Sequence, residues 1–306
     1  MRIVYMGTPD FAVEPLARMY DDGHDIACVV TKPDKPRNRG MKVSYSPVKE
    51  YAIARGTAVY QPDTLRDGAL EKTLREQRCD LIVVVAYGKL LPGEILDIPV
   101  FGCLNIHGSL LPKYKGAAPI QWAVLNGETE TGVTAMFMTE ELDAGDILGS
   151  VKTPIGEDET AGELSKRLSV IGADLLSESV RAIEKNTAYH APQDFSEATF
   201  APPMRKYMSP IDWTHRAHRI KCKVRGLNPW PVATAELDDG VFRVFSVDIS
   251  DTAAGMTPGS VISAGKQGIE IACADGAVTI KELQAPGGKR MPAAEYLRGH
   301  NIRIEN

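Results

Sequence analysis

Long hydrophobic segments are missing from this 306-residue sequence. The longest apolar run, Leu81 to Tyr87, has about a third of the residues that a transmembrane helix needs. The first apolar stretch, Ile3 to Met6, leads directly into Gly7-Thr8-Pro9-Asp10 and is too short for the apolar region of a signal peptide. We therefore expect a cytoplasmic protein that does not interact with a membrane.

Paired cysteines and an excess of positive charge are also missing. The five cysteines lie far apart without a CxxC pair, and most of them lie within apolar runs, where a buried free thiol is usual. Neither a disulfide framework nor a metal site is expected. The net charge of -5 argues against a protein that coats nucleic acid non-specifically, but it is compatible with a local basic surface.

Apolar runs alternate with amphipathic stretches in the first part of the chain. This order predicts an α/β fold with a Rossmann-like, mostly parallel sheet and helices on both faces. Thr160 and Glu163 form a capping box, which predicts the start of a long helix ending near Asn186. Strands are predicted at Arg2–Met6, His24–Val30, Leu81–Val85, Cys103–His107 and Val133–Met138, and helices at Phe11–Tyr20, Val48–Arg55, Leu65–Arg78 and Pro119–Leu125.

The rest of the chain has a different pattern. Prolines interrupt any periodicity after the long helix, which indicates a linker at 189–208 between a first domain at 1–188 and a second at 209–306. A helix at Trp213–Gly226 and several short strands predict a smaller C-terminal β-barrel, similar to an OB fold. The strands are expected at Ala233–Leu237, Val241–Ile249, Gly259–Ala264, Gly268–Ala272 and Ala277–Leu283.

Polar side chains at the end of one predicted strand are the first sign of a site. Asn105 and His107 are two residues apart, so an extended backbone points both side chains to one side. Ligands bind at the carboxyl ends of strands in open α/β sheets. Asp143 and Asp146 follow a later strand, and either carboxylate could orient the imidazole. From the residues alone, a structural histidine stays an open alternative, and aspartates that flank glycine are commonly turn formers.

Several motifs resemble those of a known family. His107-Gly108-Ser109-Leu110-Leu111-Pro112 and Leu142-Asp143-Ala144-Gly145 resemble the signature of formyltransferases that use 10-formyltetrahydrofolate. The resemblance covers nearly the whole chain. Further segments are similar, in particular, to the methionyl-tRNA formyltransferases: Met6-Gly7-Thr8-Pro9-Asp10-Phe11, Val85-Ala86-Tyr87-Gly88, Gly116-Ala117-Ala118-Pro119-Ile120-Gln121 and Asn228-Pro229-Trp230-Pro231.

The resemblance implies a reaction and its catalytic residues. A formyl group would pass from 10-formyltetrahydrofolate, a cosubstrate, to the amino group of methionyl initiator tRNA, without a metal and with a monomeric enzyme. Asn105 and protonated His107 would stabilise negative charge on the formyl oxygen, and Asp143, rather than Asp146, would assist proton transfer. The residues that match the family's folate-contacting positions are Ser109, Leu110, Leu111 and Pro112, with Ala86, Tyr87, Gly88 and Leu90 in the pterin loop.

Two basic segments are candidates for contact with tRNA. The insert from Thr31 to Pro47 reads as a structureless loop, and such a loop in a compact domain is usually functional or disordered. The resemblance implies that it meets the acceptor stem, with Arg39 as a wedge. The stretch His215–Arg225 contains no acidic residue, although a solvated helix face is its ordinary explanation. The candidate residues are Arg37, Arg39, Lys42, Arg219, Lys221, Lys223 and Arg225.

Other functions fit the sequence less well. A sugar-nucleotide N-formyltransferase would share Asn105, His107 and Asp143 but would not need the basic insert. A purine-pathway formyltransferase should end near the first domain, and a formyltetrahydrofolate hydrolase normally forms part of a larger chain. A non-catalytic RNA-binding module would not need all three polar residues. A dinucleotide-dependent oxidoreductase is disfavoured because no GxGxxG motif follows the first strand.

Overall fold

The computed structural model describes residues 1–37, 42–238, 240–252 and 255–304, with only the backbone described for 35–37 and 42–43. The chain divides into two compact units. Unit 1 comprises Met1–Pro119, Glu130–Pro154 and Ser165–Ala201, and unit 2 comprises Ile120–Thr129, Ile155–Leu164 and Pro202–Asn306. The domain boundaries that we placed at 188 and 209 stay a prediction.

The helices and strands are numbered in chain order. The helices are α1 Val13–Asp21, α2 Pro47–Ala54, α3 Ala69–Gln77, α4 Gly93–Leu96, α5 Pro119–Leu125, α6 Ala161–Glu184, α7 Ala217–Gly226 and α8 Ala293–Tyr296. The strands are β1 Arg2–Gly7, β2 Asp25–Val30, β3 Lys35–Arg37, β4 Lys42–Ser44, β5 Val59–Tyr60, β6 Leu81–Val85, β7 Cys103–His107, β8 Lys115–Gly116, β9 Glu130–Phe137, β10 Ile147–Pro154, β11 Phe200–Ala201, β12 Ala233–Leu237, β13 Gly240–Ser250, β14 Val261–Gly265, β15 Gly268–Cys273, β16 Gly276–Gln284 and β17 Arg290–Pro292.

Unit 1 is built on a mostly parallel sheet, in agreement with the predicted fold class. Its strand order is β10-β9-β7-β6-β1-β2-β5, with β5, β2, β1, β6 and β7 parallel and β9 antiparallel to both of its neighbours, β7 and β10. All five residues of both β6 and β7 are buried, as expected for parallel strands covered on two faces. Asn105 and His107, the catalytic candidates on β7, therefore lie on a strand in the interior of the sheet.

Strand β10 was not predicted from the sequence. It pairs with β9 in antiparallel orientation at the edge of the sheet, from Ile147 to Pro154. Most of its residues are partly or fully exposed, so the strand lacks the apolar run by which β6 and β7 were recognised. Its position brings the loop that contains Asp143 back towards the end of β7.

The expectation of a structureless insert was wrong. Strands β3 and β4 pair as an antiparallel hairpin, with Lys35 opposite Ser44 and Arg37 opposite Lys42. The base of the hairpin is fixed by hydrogen bonds: Lys32 donates its backbone N–H to Thr8 at 3.3 Å, and the hydroxyls of Thr31 and Ser46 are 2.9 Å apart. Thr8 of the opening motif thus helps to anchor the insert.

Unit 2 contains the antiparallel strands that we predicted after the linker. Their order is β12-β13-β16-β15-β14, and β17 pairs with β16. Helix α7 packs on β13 and β16. Within the part of the chain that the structure describes, no helix has the length and apolarity to span a bilayer.

Candidate active site

Strand β7 brings the first two candidates together. Asn105 and His107 are 7% and 6% exposed; His107 is the last residue of the strand, and Asn105 lies two residues before it. Among the described residues, the Asn105 carboxamide has no hydrogen-bond partner. Asn105 consequently has donors available for a bound molecule, because a buried amide normally satisfies its hydrogen-bonding groups.

The His107 imidazole lies between a carbonyl and a carboxylate. Its Nε2 atom is 3.0 Å from the Tyr114 carbonyl oxygen. Since a carbonyl oxygen only accepts, Nε2 carries a proton in this contact. Its Nδ1 atom is 3.7 Å from Asp143 Oδ2, which is ion-pair distance but too long for a direct hydrogen bond. The ring is therefore oriented with Nδ1 towards the carboxylate.

A backbone N–H group of the signature loop holds the Asp143 carboxylate. Its Oδ2 atom accepts a 2.7 Å hydrogen bond from the Gly116 N–H, so the signature loop and the aspartate loop meet at this carboxylate. The Asp143 backbone has a φ of +48°, a left-handed conformation that non-glycine residues adopt infrequently. Asp146, the alternative candidate, instead faces His190 at 3.8 Å and has a half-exposed side chain. The geometry therefore brings Asp143, and not Asp146, to His107.

Gln193 supports the aspartate loop from the segment that we predicted as a linker. It is 8% exposed, and its Nε2 atom donates to the carbonyls of Asp143 at 3.0 Å and Gly145 at 2.8 Å. Sequence reasoning missed this residue because it lies 50 positions from Asp143, and no local motif predicts such a contact.

Lys115 was also missed as a functional candidate. It is 4% exposed, and its ammonium lies 4.1 Å from the centre of the Phe195 ring. Burial lowers the pKa of Lys115, while the carboxylates of Asp143 and Glu141 oppose that shift. In the sequence, Lys115 lies among small and polar residues, and such a pattern does not predict that a lysine is buried. The structure adds this cation to the surroundings of Asp143.

The Ser-Leu-Leu-Pro segment lies immediately after β7. Ser109 is fully buried, its hydroxyl donates to the Lys113 carbonyl at 2.6 Å, and its own carbonyl accepts from Thr134 at 2.7 Å. Leu111 donates its N–H to the Thr134 hydroxyl at 3.2 Å. These contacts fix the shape of the segment, in which Leu110 and Pro112 are partly exposed.

The predicted pterin loop follows β6, the neighbour of β7. Ala86 and Gly88 have φ angles of +47° and +75°, so the backbone turns sharply after the strand. Tyr87 is buried in the core, its hydroxyl has no hydrogen-bond partner among the described residues, and burial raises its pKa to about 12. Leu90 is 59% exposed. The loop continues into residues that line a cavity of about 490 Å³, among them Lys89 and Glu140.

The basic candidates have different environments. Arg39 lies outside the described residues, as do the side chains of Arg37 and Lys42. In unit 2, Lys221 is bound to Asp158 at 2.6 Å, and Arg225 donates to the Gly156 carbonyl at 2.9 Å. Lys223 donates to the Pro210 carbonyl, whereas Arg219 is exposed. Contact of these residues with tRNA stays a prediction. In α7, Lys221, Lys223 and Arg225 bind other groups of the protein, whereas Arg219 is exposed.

Comparison with known proteins identifies the family. Residues 1–180 match the Formyl transferase family, and residues 203–301 match the Formyl transferase, C-terminal domain family. A methionyl-tRNA formyltransferase from Acetivibrio thermocellus is 44% identical over 99% of this chain and 97% of its own length. One from Clostridioides difficile is 44% identical over 99% of this chain and 98% of its own.

Solved structures share the fold at lower sequence identity. WlaRD, a sugar 3N-formyl transferase, superposes with a TM-score of 0.68 at 18% identity, over 91% of this chain and 96% of its own. HypX from Aquifex aeolicus gives a TM-score of 0.68 at 19% identity, over 100% of this chain and 49% of its own, so HypX is about twice as long. The fold, the two matched families and the full-length relatives lead to one conclusion: the chain belongs to the formyltransferase family, among the methionyl-tRNA formyltransferases.

Proposed function

We propose that this chain transfers a formyl group from 10-formyltetrahydrofolate to the amino group of methionyl initiator tRNA, which gives the N-formylmethionyl-tRNA that starts translation. The observation that carries the proposal is the convergence of Asn105, His107 and Asp143 at the end of β7. The full-length similarity to methionyl-tRNA formyltransferases supports this acceptor. We place the reaction in the cytoplasm and assign it to a monomer.

The three residues have separate roles in the proposed reaction. Negative charge develops on the formyl oxygen during attack by the amine, and preorganised donors stabilise such charge. Asn105 offers carboxamide N–H groups that have no partner among the described residues, and His107, whose Nε2–H is donated to the Tyr114 carbonyl, offers the positive charge of its ring. Asp143 lies beside Nδ1, where it stabilises a charged imidazole and assists transfer of the proton that the amine loses to the departing folate nitrogen N10, as the new C–N bond to the amine forms and the bond to N10 breaks.

The residues after β6 fit a folate. When bound, the folate supplies an activated one-carbon unit on its N10 atom. The left-handed turn at Ala86 and Gly88 presents backbone groups of the kind that bind a heteroaromatic ring, and Tyr87, whose hydroxyl has no partner among the described residues, belongs to the same loop. A cavity of about 490 Å³ continues past Leu90, within the size range of small-molecule sites. We assign Ser109, Leu110, Leu111 and Pro112 to the same ligand.

The two parts of the chain divide the work in this proposal. We assign catalysis to 1–188, a connecting role to 189–208 and tRNA binding to 209–306, together with the insert that contains Arg37, Arg39 and Lys42. The pairing of β3 with β4 supports the insert's part, because it fixes the two segments on either side of the residues around Arg39, and the Thr31–Ser46 contact fixes their base.

The acceptor is tested by direct competition. Formyl transfer from 10-formyltetrahydrofolate should be measured on methionyl initiator tRNA and on a UDP-amino sugar at the same salt concentration. We expect product on the tRNA alone. Product on the sugar alone would retain the chemistry and overturn the acceptor, and a lack of product on both would overturn the proposed function.

The catalytic assignment is tested by a pair of substitutions. His107→Gln retains a polar side chain but removes the group that bears charge, and we expect kcat to fall by about 10²- to 10⁴-fold with an unchanged melting temperature. Asp146→Asn is the matched control on the same loop as Asp143, and it should leave kcat unchanged because Asp146 faces His190 instead. Wild-type turnover by a folded His107→Gln protein would exclude a catalytic role for this histidine.

A further inference from the structure

Two phenylalanines are exposed beside the proposed catalytic residues. Phe195 and Phe200 are 54% and 71% exposed, although aromatic side chains of this size are usually buried. Both lie within unit 1 and within a few residues of each other. Exposed apolar groups that cluster on a monomer's surface commonly mark a binding site. The catalytic roles proposed above use neither ring.

The segment that carries these rings is attached firmly to the catalytic loops. At its start, Gln193 holds the aspartate loop through two hydrogen bonds. Further along, the Thr199 hydroxyl accepts from the Tyr114 N–H at 2.8 Å, and the Thr199 carbonyl accepts from the Lys115 N–H at 2.8 Å. The Ala201 carbonyl then accepts from the Ala117 N–H at 3.0 Å. The exposure of the rings is therefore not a consequence of a loose segment.

The rings lie close to the reacting groups. Phe195 stacks over the Lys115 ammonium at 4.1 Å, and Lys115 precedes Gly116, whose N–H binds the Asp143 carboxylate. Phe200 is paired with Lys115 in the parallel ladder of β8 and β11. Since directly paired residues present their side chains to the same face of a sheet, the Phe200 ring lies on the Lys115 side of this ladder.

The position of the segment separates it from the predicted folate loop. In the sheet, β6 is the neighbour of β7 on one side and β9, followed by β10, is the neighbour on the other. The pterin loop follows β6. The aromatic segment begins beside β10, where Ala191 bridges to Ile147. The two phenylalanines thus approach the end of β7 from the side opposite to the pterin loop, which leaves that side for the amine-bearing substrate.

We propose that Phe200 and Phe195 form a stacking platform for the nucleobase of the 3′-terminal adenosine of the charged tRNA. The reacting amine belongs to an amino acid that is esterified to the ribose of this nucleoside, so its base reaches the site only a few bonds behind the amine. Unpaired bases at the ends of RNA stack on exposed aromatic side chains. The inference rests on the proposed acceptor and assigns a new subsite for it.

A fluorescent base tests the platform. The terminal adenine of methionyl initiator tRNA is replaced by 2-aminopurine, whose emission is quenched when it stacks. Binding to the wild-type protein should quench the emission, and Phe200→Leu and Phe195→Leu should each reduce the quenching. With unmodified methionyl-tRNA, Phe200→Leu should raise KM for the tRNA by about tenfold, the scale expected for the loss of one base–ring stack, without change in kcat or in KM for the folate.

Controls separate the possible failures. Phe101→Leu changes another exposed phenylalanine, at the opposite end of β7, and should behave as wild type. If Phe200→Leu is destabilised, Phe200→Trp preserves a stacking surface and should retain the quenching. Unchanged quenching and KM in both leucine variants would overturn the platform, and so would a raised KM for the folate alone, which would place the rings in the folate site. Absence of formylation by the wild type would refute the proposed function instead.

Discussion

At the scale of single residues, the conformation of Asp143 depends on a side chain far away in sequence. Its left-handed backbone carries an energetic cost that surrounding contacts must offset. The Gln193 amide provides such contacts through the carbonyls of Asp143 and Gly145. The carboxylate that faces His107 is therefore positioned by a residue that does not itself approach the reacting atoms.

We expect Gln193→Met, which retains the length of the side chain, to lower kcat by about tenfold with a small change in KM for either substrate. Loss of the two hydrogen bonds lets the aspartate loop move, and displacements of about 1 Å can reduce turnover strongly. Steady-state kinetics should be measured at a temperature well below the melting transitions of both proteins. A variant with wild-type kcat, or one that loses activity only as it unfolds, would show that Gln193 has a purely structural role.

The same residues show what sequence reasoning could and could not find. Asn105 and His107 were predicted to share one side of a strand because the period of an extended backbone is local information. Gln193 and Lys115 could not be found in this way. Their roles depend on a segment that returns to the signature loop after a 24-residue helix, and no short pattern encodes that return.

At the scale of helices and strands, local signals located some elements to the residue. Strands β6, β7 and β12 and helix α5 have the predicted bounds, although only β6 is an unbroken apolar run. Helix α7 instead begins at Ala217, four residues later than expected from Trp213. Its first N–H donates to the Asp275 carboxylate, 58 residues away, at 2.8 Å. A short stretch of sequence does not reveal tertiary contacts of this kind.

The capping box at the start of α6 is a local signal that the structure confirms. Thr160 accepts from the Glu163 N–H at 3.3 Å, and Glu163 in return accepts from the Thr160 N–H at 2.9 Å. Thr160→Ala removes the side-chain acceptor and should lower the free energy of unfolding by about 1 kcal/mol. Thr160→Ser preserves the cap and serves as the control. Equal stabilities of the alanine variant and the wild type in urea denaturation would mean that the box contributes nothing.

At the scale of the whole molecule, the chain is acidic although its proposed substrate is a polyanion. A net charge of -5 means that affinity for tRNA has to come from a few exposed basic groups and not from the average charge. Helix α7 contains basic residues that are bound within the protein and basic residues that are exposed. Lys221 is bound to Asp158 and Glu157 within unit 2, and the hydrogen bond from Lys221 lowers the pKa of Asp158. Arg219, two residues away, is exposed.

This division predicts opposite effects for two neighbouring substitutions. Arg219→Gln should weaken tRNA binding and reduce the slope of log affinity against log salt by about one, with no change in melting temperature, because one phosphate contact is lost. Lys221→Gln should lower the melting temperature by about 3 °C and leave the salt slope unchanged, because its ammonium is already engaged by carboxylates. Binding isotherms between about 50 and 200 mM salt, with a thermal melt of each variant, measure both effects. The reverse pattern would mean that Lys221 leaves Asp158 to bind phosphate, and that the charge of α7 is rearranged when tRNA binds.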